Sequence, residues 1–205
     1  MLKNTMVVDN LGPVNTALLV IDKQISYTTN NRVFGKPPNN KVNPFNNLVP
    51  KIDSFIRLSR SKGLEVIWTQ MIEDVELSPP NIRNKMKADN TPTISSPNSK
   101  NFDFNGLGPD NDEKVIIKKY YDAFAQTDLD VYLKTKGVKK VIIIGGFTSR
   151  CVLGTAFGAN GHGYNVIVVS DLTGNPAGLS DEVPVALGII NSVLGYTVLE
   201  KDILF

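Results

Sequence analysis

Three residues of this 205-residue chain could perform nucleophilic chemistry if they met. Asp22 closes the apolar run "ALLVI", Lys118 closes "KVII", and Cys151, the chain's single cysteine, follows "KVIIIGGFTSR". A thiol is a poor nucleophile until it ionises. A carboxylate beside it can take the proton, and an ammonium favours the thiolate, as do the unpaired amides of a helix start. The trio therefore predicts an exposed, activated sulfur where a strand ends and a helix begins. Each member also has a plainer reading: an Asp as turn former, a Lys reaching water, a Cys as a small buried hydrophobe. Joint position favours chemistry. In a parallel sheet all strand ends of one kind share an edge, so Asp22, Lys118 and Cys151 would stand on one rim although 129 positions separate the first from the last (151 − 22).

That rim requires strands. Short runs rich in β-branched residues recur at 17–21, 64–68, 114–118, 140–145, 164–170 and 196–200. They lack polar–apolar alternation, as strands buried on both faces do. Between them, "NLVPKIDSFIRLSRSK" puts Leu48, Ile52, Phe55 and Ile56 on one helical face, with Pro50 in the first turn and Gly63 as the stop. "TDLDVYLKTKG" opens on Thr127 as N-cap, carries Asp130 three residues on, and ends at Gly137. "CVLGTAFGANG" is rich in small residues and can lie close to a sheet, and "EVPVALGIINSVLG" is apolar up to Gly195. The interleaving predicts one domain over residues 1–205: a doubly wound, Rossmann-like α/β/α sandwich of three layers around a six-stranded, mainly parallel sheet. Two connections, 25–46 and 72–113, are long and rich in Asn, Pro and Ser. Both leave carboxyl ends of strands, where open α/β sheets bind ligands, and they read as pocket walls or as surface insertions.

Composition narrows the function classes. Hydrophobic residues make up 41% and charged residues 20%, the proportions of a globular domain. Net charge is +2 with the basic residues scattered, which argues against a nucleic-acid groove. A lone cysteine makes no internal disulfide, the N-terminal stretch lacks an apolar signal core, and no apolar run is of membrane-spanning length. The expectation is a cytoplasmic protein without membrane or nucleic-acid partners. The only histidine, His162 in "NGHGYN", excludes a histidine metal cluster and reads as part of a helix-ending turn. No metal and no cofactor are expected. "GGFTSRC" lacks the G-x-G-x-x-G spacing of a dinucleotide fold, and a redox sensor would lack a resolving cysteine.

On these residues the sequence resembles the isochorismatase-like cysteine hydrolase superfamily, which includes nicotinamidases, N-carbamoyl amidohydrolases and isochorismatases. The resemblance runs from about Thr16 to Leu199 in three ordered blocks. The first is "TALLVIDKQ", with Asp22 and Gln24 at a D-x-Q motif. The second is "VIIKKYYDAFAQTDLDVYL", with Lys118 at the family lysine and Ala123, Phe124, Thr127 and Leu129 in the pattern that follows. The third is "GGFTSRCVLGTAFGANGHGYNVIVVSD", around Cys151. The resemblance implies a catalytic triad of Asp22, Lys118 and Cys151. It also implies a cis peptide bond between Gly146 and Phe147, which would turn the Phe147 amide inward to share an oxyanion hole with the Cys151 amide. The implied activity is metal-independent hydrolysis of a C–N bond in a small carboxamide or ureido compound through a Cys151 acyl-enzyme. The alternatives are isochorismatase-type cleavage of a carboxylate vinyl ether and a non-catalytic binding member of the fold. The implied partners are a small-molecule substrate and further copies of the chain, as dimer or tetramer.

The sequence departs from the family in places. Nicotinamidases hold a metal with an Asp and histidines after the second strand, but "MIEDVELSPPNIRNKMKADN" has no His. Arg150 stands where the family often has an apolar or aromatic residue, and reads either as an anion contact or as facing solvent or a neighbouring subunit. Tyr27 falls at an aromatic pocket position. Gln24, Trp68, Gln70 and Arg83 are further candidates for substrate contact, Trp68 being equally readable as core.

Overall fold

The computed structural model describes residues 12–29 and 43–205. The N-terminal stretch 1–11, and residues 30–42 of the long 25–46 connection, lie outside the described residues. The strands are β1 (Thr16–Ile21), β2 (Glu65–Met71), β3 (Lys114–Lys118), β4 (Lys140–Gly146), β5 (Asn165–Gly174) and β6 (Gly195–Val198). They form one sheet in the order β3-β2-β1-β4-β5-β6, and every neighbouring pair is parallel. The chain winds outward from β1 through β2 to β3, then restarts at β4 and winds the other way. The reversal between β1 and β4 opens the crevice in which sheets of this kind bind ligands.

The helices are α1 (Ile25–Thr28), α2 (Val49–Ser61), α3 (Pro80–Ala88), α4 (Leu129–Thr135), α5 (Leu153–Gly161) and α6 (Glu182–Ile189). Every residue of β1 is inaccessible to solvent, as its unbroken apolar run demands. Ala17, Leu19 and Ile21 pack with Leu129 and Leu133 of α4 and Ala156 and Ala159 of α5. Leu18 and Val20 face the other way, onto Ile52, Phe55 and Ile56 of α2. The period-2 alternation of a strand thus supplies both cores of the three-layer sandwich.

The observed elements refine the sequence reading. β2 continues to Met71, past the Trp68 expected to end it, so Thr69 and Gln70 belong to the strand. α4 starts at Leu129, and Asp128 at its cap makes no side-chain cap bond. The Thr127 hydroxyl nevertheless accepts from the Leu129 amide (3.3 Å) and donates to the Ala123 carbonyl (2.6 Å). Connection 72–113 is ordered rather than structureless. It contains α3, whose only buried residue is Met86. Antiparallel bridges join Glu73 to Ser95 and Gln24 to Phe104. Among the described residues no helix is long and apolar enough to cross a membrane.

Candidate active site

β1 delivers Asp22 one residue past its end at φ +45°, a conformation non-glycine residues rarely adopt. Thr69 of the adjacent strand holds it there. The Asp22 amide donates to Thr69 Oγ1 (3.0 Å), and that hydroxyl donates to Asp22 Oδ1 (2.5 Å). On the other side of β1, Ile21 pairs with Gly145. Gly145 has φ +109°, and a Cβ there would sit 2.2 Å from the Ile21 carbonyl oxygen. The two strands that carry Asp22 and lead to Cys151 can approach this closely only with glycine at that position.

Lys118 ends β3, two strands from β1. At about 4.8 Å per strand the backbones are roughly 10 Å apart, a gap that a lysine and an aspartate side chain span together. Lys118 Nζ lies 2.8 Å from Asp22 Oδ2 and 3.2 Å from Cys151 Sγ. It also donates to the Tyr120 carbonyl (3.1 Å) and the Tyr121 carbonyl (3.4 Å). The side chain is wholly buried, so this lysine turns inward instead of reaching water.

Cys151 does not open an α-helix. It sits inside a π-helical turn, Thr148–Val152, which precedes α5. The peptide bond joining Gly146 to Phe147 is cis, and the Phe147 carbonyl accepts from the Arg150 (3.0 Å) and Val152 (3.1 Å) amides. Asn175, just past β5, braces the turn: its Nδ2 donates to Ser149 Oγ (2.9 Å) and its Oδ1 accepts from the Ser149 amide (3.3 Å). From α5, the Thr155 hydroxyl accepts from the Ala123 amide (3.2 Å), fixing the segment whose carbonyls hold Lys118. Wide-turn insertions of this kind recur at functional sites because they re-aim a side chain.

Electrostatics correct one expectation. Cys151 is buried, 7% exposed, rather than open to solvent. Burial, and then the Asp22 carboxylate, push the Cys151 thiol well above its ordinary range, and Lys118 only partly offsets them. Lys118 shows the opposite balance: burial opposes its charge, but Asp22 and Cys151 outweigh burial and hold the ammonium above its usual value.

Asp22 and Cys151 line a narrow pocket of about 10 Å³, and Lys118 lies buried behind them. Tyr27, Glu73, Tyr121, Phe147 and Arg150 complete the wall. Tyr27 donates to Glu73 Oε2 (3.0 Å), and its ring meets Phe147 edge to face at 5.5 Å. Arg150 reaches the pocket, and its guanidinium is paired with Glu182 (2.5 Å).

Four candidates do not reach the pocket. Gln24 is fully buried: its Nε2 donates to Ser95 Oγ (2.9 Å) and the Phe102 carbonyl (3.1 Å), and its Oε1 accepts from the Met71 amide (2.8 Å). Its polar groups are spent bracing β2 and the 95–102 segment. Trp68 is core, its Nε1 donating to Glu113 Oε2 (2.7 Å). Gln70 donates to the Phe102 carbonyl (2.9 Å), and Arg83 to the carbonyls of Glu76 (2.8 Å) and Ser78 (3.1 Å). These are loop ties. His162 stacks on Phe124 and lies 3.5 Å from Asp130, at the end of α5 remote from Cys151.

Two residues of the candidate site were not singled out from the sequence: Thr69, which holds Asp22, and Glu73, which lines the pocket. A threonine inside an apolar strand looks like ordinary β-branched filling. Glu73 is the first charged residue after β2, and its place just past a strand's carboxyl end is the signal the sequence offers.

The sequence profile of the isochorismatase domain matches residues 16–183. The chain is 31% identical over 165 residues to the probable inactive nicotinamidase of Arabidopsis thaliana, covering 78% of this chain and 80% of that protein. It is 26% identical over 172 residues to the ureidoacrylate amidohydrolase RutB of Methylorubrum extorquens, covering 77% and 69%. The pyrazinamidase of Pyrococcus horikoshii in complex with zinc shares the fold, with a TM-score of 0.70 at 23% identity over 90% of this chain and 99% of that one. The residues here do not fit such a metal. Among the described residues no group of three or more His, Cys, Asp or Glu side chains could hold an ion.

Proposed function

Because the chain belongs to the isochorismatase family of hydrolases, we propose that it is a metal-independent cysteine hydrolase cleaving a C–N bond of a small carboxamide or ureido compound. One observation carries the reading: a buried ammonium 2.8 Å from a carboxylate and 3.2 Å from a thiol, all beside one pocket. The name of the ureidoacrylate amidohydrolase relative supports the bond type.

Cys151 Sγ attacks the carbonyl carbon while its proton passes to Asp22. A thiol held un-ionised by burial gives up its proton only as attack proceeds, which suits a general base rather than a standing thiolate. The carbonyl electrons move onto oxygen, where the main-chain amides of Phe147 and Cys151 receive them. Collapse breaks the C–N bond, and the proton on Asp22 goes to the leaving nitrogen. Water then gives a proton to Asp22 and adds to the thioester. Collapse expels the Cys151 thiolate, which takes the proton back. Lys118 holds Asp22 in place and balances negative charge through both halves.

Ammonia release from a panel of small amides and ureas tests this. The wild type releases ammonia from at least one compound, Cys151→Ala releases none while melting at the wild-type temperature, and EDTA leaves the rate unchanged. Equal release by wild type and Cys151→Ala contradicts the covalent route. Loss with EDTA that zinc restores contradicts the metal-independent one.

A further inference from the structure

The mechanism above uses Asp22, Lys118 and Cys151 but not the second carboxyl group that lines the pocket. Glu73 is 5% exposed, yet it lines the same pocket as Cys151. Its backbone is pinned: its amide donates to the Ser95 carbonyl (2.9 Å), and its own carbonyl accepts from the Ile94 (2.8 Å) and Ser95 (3.1 Å) amides. Its Oε2 accepts from the Tyr27 hydroxyl (3.0 Å). Among the described residues no other hydrogen bond and no ion pair reaches the carboxyl group. The nearby cations are engaged elsewhere, Lys118 by Asp22 and Arg150 by Glu182. The second Glu73 oxygen is not one of the buried polar atoms left without a partner, so it stays accessible as an acceptor, and Glu73 lines the candidate pocket.

The geometry points to Glu73 as a specificity-determining residue. Its free oxygen accepts an N–H of the substrate's non-scissile end, so the enzyme selects compounds ending in an amide, ureido or amino group and rejects those ending in a carboxylate. This rests on the amidohydrolase reading above. The chemistry is one-sided. Tyr27 already donates to one oxygen, so what remains is acceptor capacity, which an N–H fills and a carboxylate cannot. A substrate carboxylate there would place two like charges in a desolvated pocket. Burial raises Glu73 to about 7, against the Tyr27 hydrogen bond and the Lys118 charge and with help from the Asp22 charge. At pH 8.5 it is therefore an anion.

Three compounds of matched length isolate the interaction: succinamide, the methyl ester of succinamic acid, and succinamate. Each carries the same scissile carboxamide. The other end is an N–H donor, a neutral group without one, or an anion. Two readouts are taken at pH 8.5: kcat/KM for ammonia release, and protection of Cys151 from alkylation by iodoacetamide. The wild type is expected to prefer succinamide over the ester by about 10-fold and over succinamate by about 100-fold or more, the scale at which a polar site left unpaired discriminates. Glu73→Gln keeps the shape and an acceptor for Tyr27 but turns an N–H toward the pocket. Its succinamide-to-succinamate ratio is expected to fall by at least about 100-fold. Equal use of the three compounds by the wild type overturns the Glu73 assignment and leaves the amidohydrolase reading standing. Failure of all three to protect Cys151 overturns the assignment too. Ammonia release that survives Cys151→Ala overturns the underlying reading instead. The comparison within the wild type decides the matter even if Glu73→Gln does not fold.

Discussion

Two consecutive residues, Asp22 and Lys23, each form a buried ion pair, and the two pairs are built for different ends. Asp22 meets Lys118 at 2.8 Å and Lys23 meets Asp53 at 2.9 Å, and both ammonium groups are fully buried. Lys23 also donates to the carbonyls of Asn105 and Leu107, closing its shell with main chain and tying the 105–107 segment to the sheet. Burial dominates there and lowers its pKa, with Asp53 opposing. Around Lys118 the balance is reversed, because a thiol and a carboxylate both face it beside an open pocket. Position along the chain and burial do not separate a structural pair from a reactive one. What separates them is the group that completes the shell: a carboxylate and main-chain carbonyls around Lys23, and for Lys118 also a thiol that lines a pocket.

The comparison breaks most sharply by substitution. Lys118→Met and Lys23→Met each strand a buried carboxylate, and each is expected to cost about 3–5 kcal/mol of stability, measured by urea unfolding. Only Lys118→Met is expected to lower kcat per folded molecule, by about 10³-fold or more, while Lys23→Met stays near wild type. Similar losses in both would make the Asp22–Lys118 pair merely structural.

A second prediction separates base from brace. Asp22 is the second-largest cause, after burial, of the raised Cys151 pKa. Asp22→Asn therefore lowers the thiol pKa. Alkylation of Cys151 by iodoacetamide at pH 8 is expected to speed up several-fold as turnover falls by about 10³-fold. Lys118→Met removes a stabiliser of the thiolate and is expected to slow alkylation. Parallel loss of both signals in Asp22→Asn would point to collapse of the site.

The smallest effect concerns Glu73, raised from 4.5 to about 7 mainly by burial. Between those values the folded state holds a proton that the unfolded chain has released. Stability is thus fully present below about pH 4.5 and falls as pH rises through about 7, by roughly 3 kcal/mol at most. Glu73→Gln is expected to flatten that slope, leaving the variant equal to wild type near pH 4 and more stable at pH 8. An unchanged slope would mean that Glu73 is solvated in solution.

The sequence spoke most clearly where a polar residue ended an apolar run. Asp22, Lys118 and Cys151 stand out because buried parallel strands have no polar period to hide them. The same contrast located all six strands, while their boundaries shifted, as with β2 running on to Met71. Strand order was not legible, since long-range pairing leaves no local mark. α3 was not legible either, because it buries a single methionine. Gln24 misled for a physical reason: its motif position is real, but its amide is consumed by main-chain groups that sequence cannot place. Glu73 stayed hidden because its burial depends on the bridge to Ser95, over twenty positions away.

In the proposed mechanism Cys151 carries the substrate's acyl group during turnover. Intact-mass analysis of the enzyme, acid-quenched at successive times while turning over its best amide, measures this directly. A transient gain equal to the acyl fragment is expected, mapped to the peptide containing Cys151 and absent from Cys151→Ala. Sustained ammonia release with Cys151 unmodified at every time, and the same rate from Cys151→Ala, would contradict it.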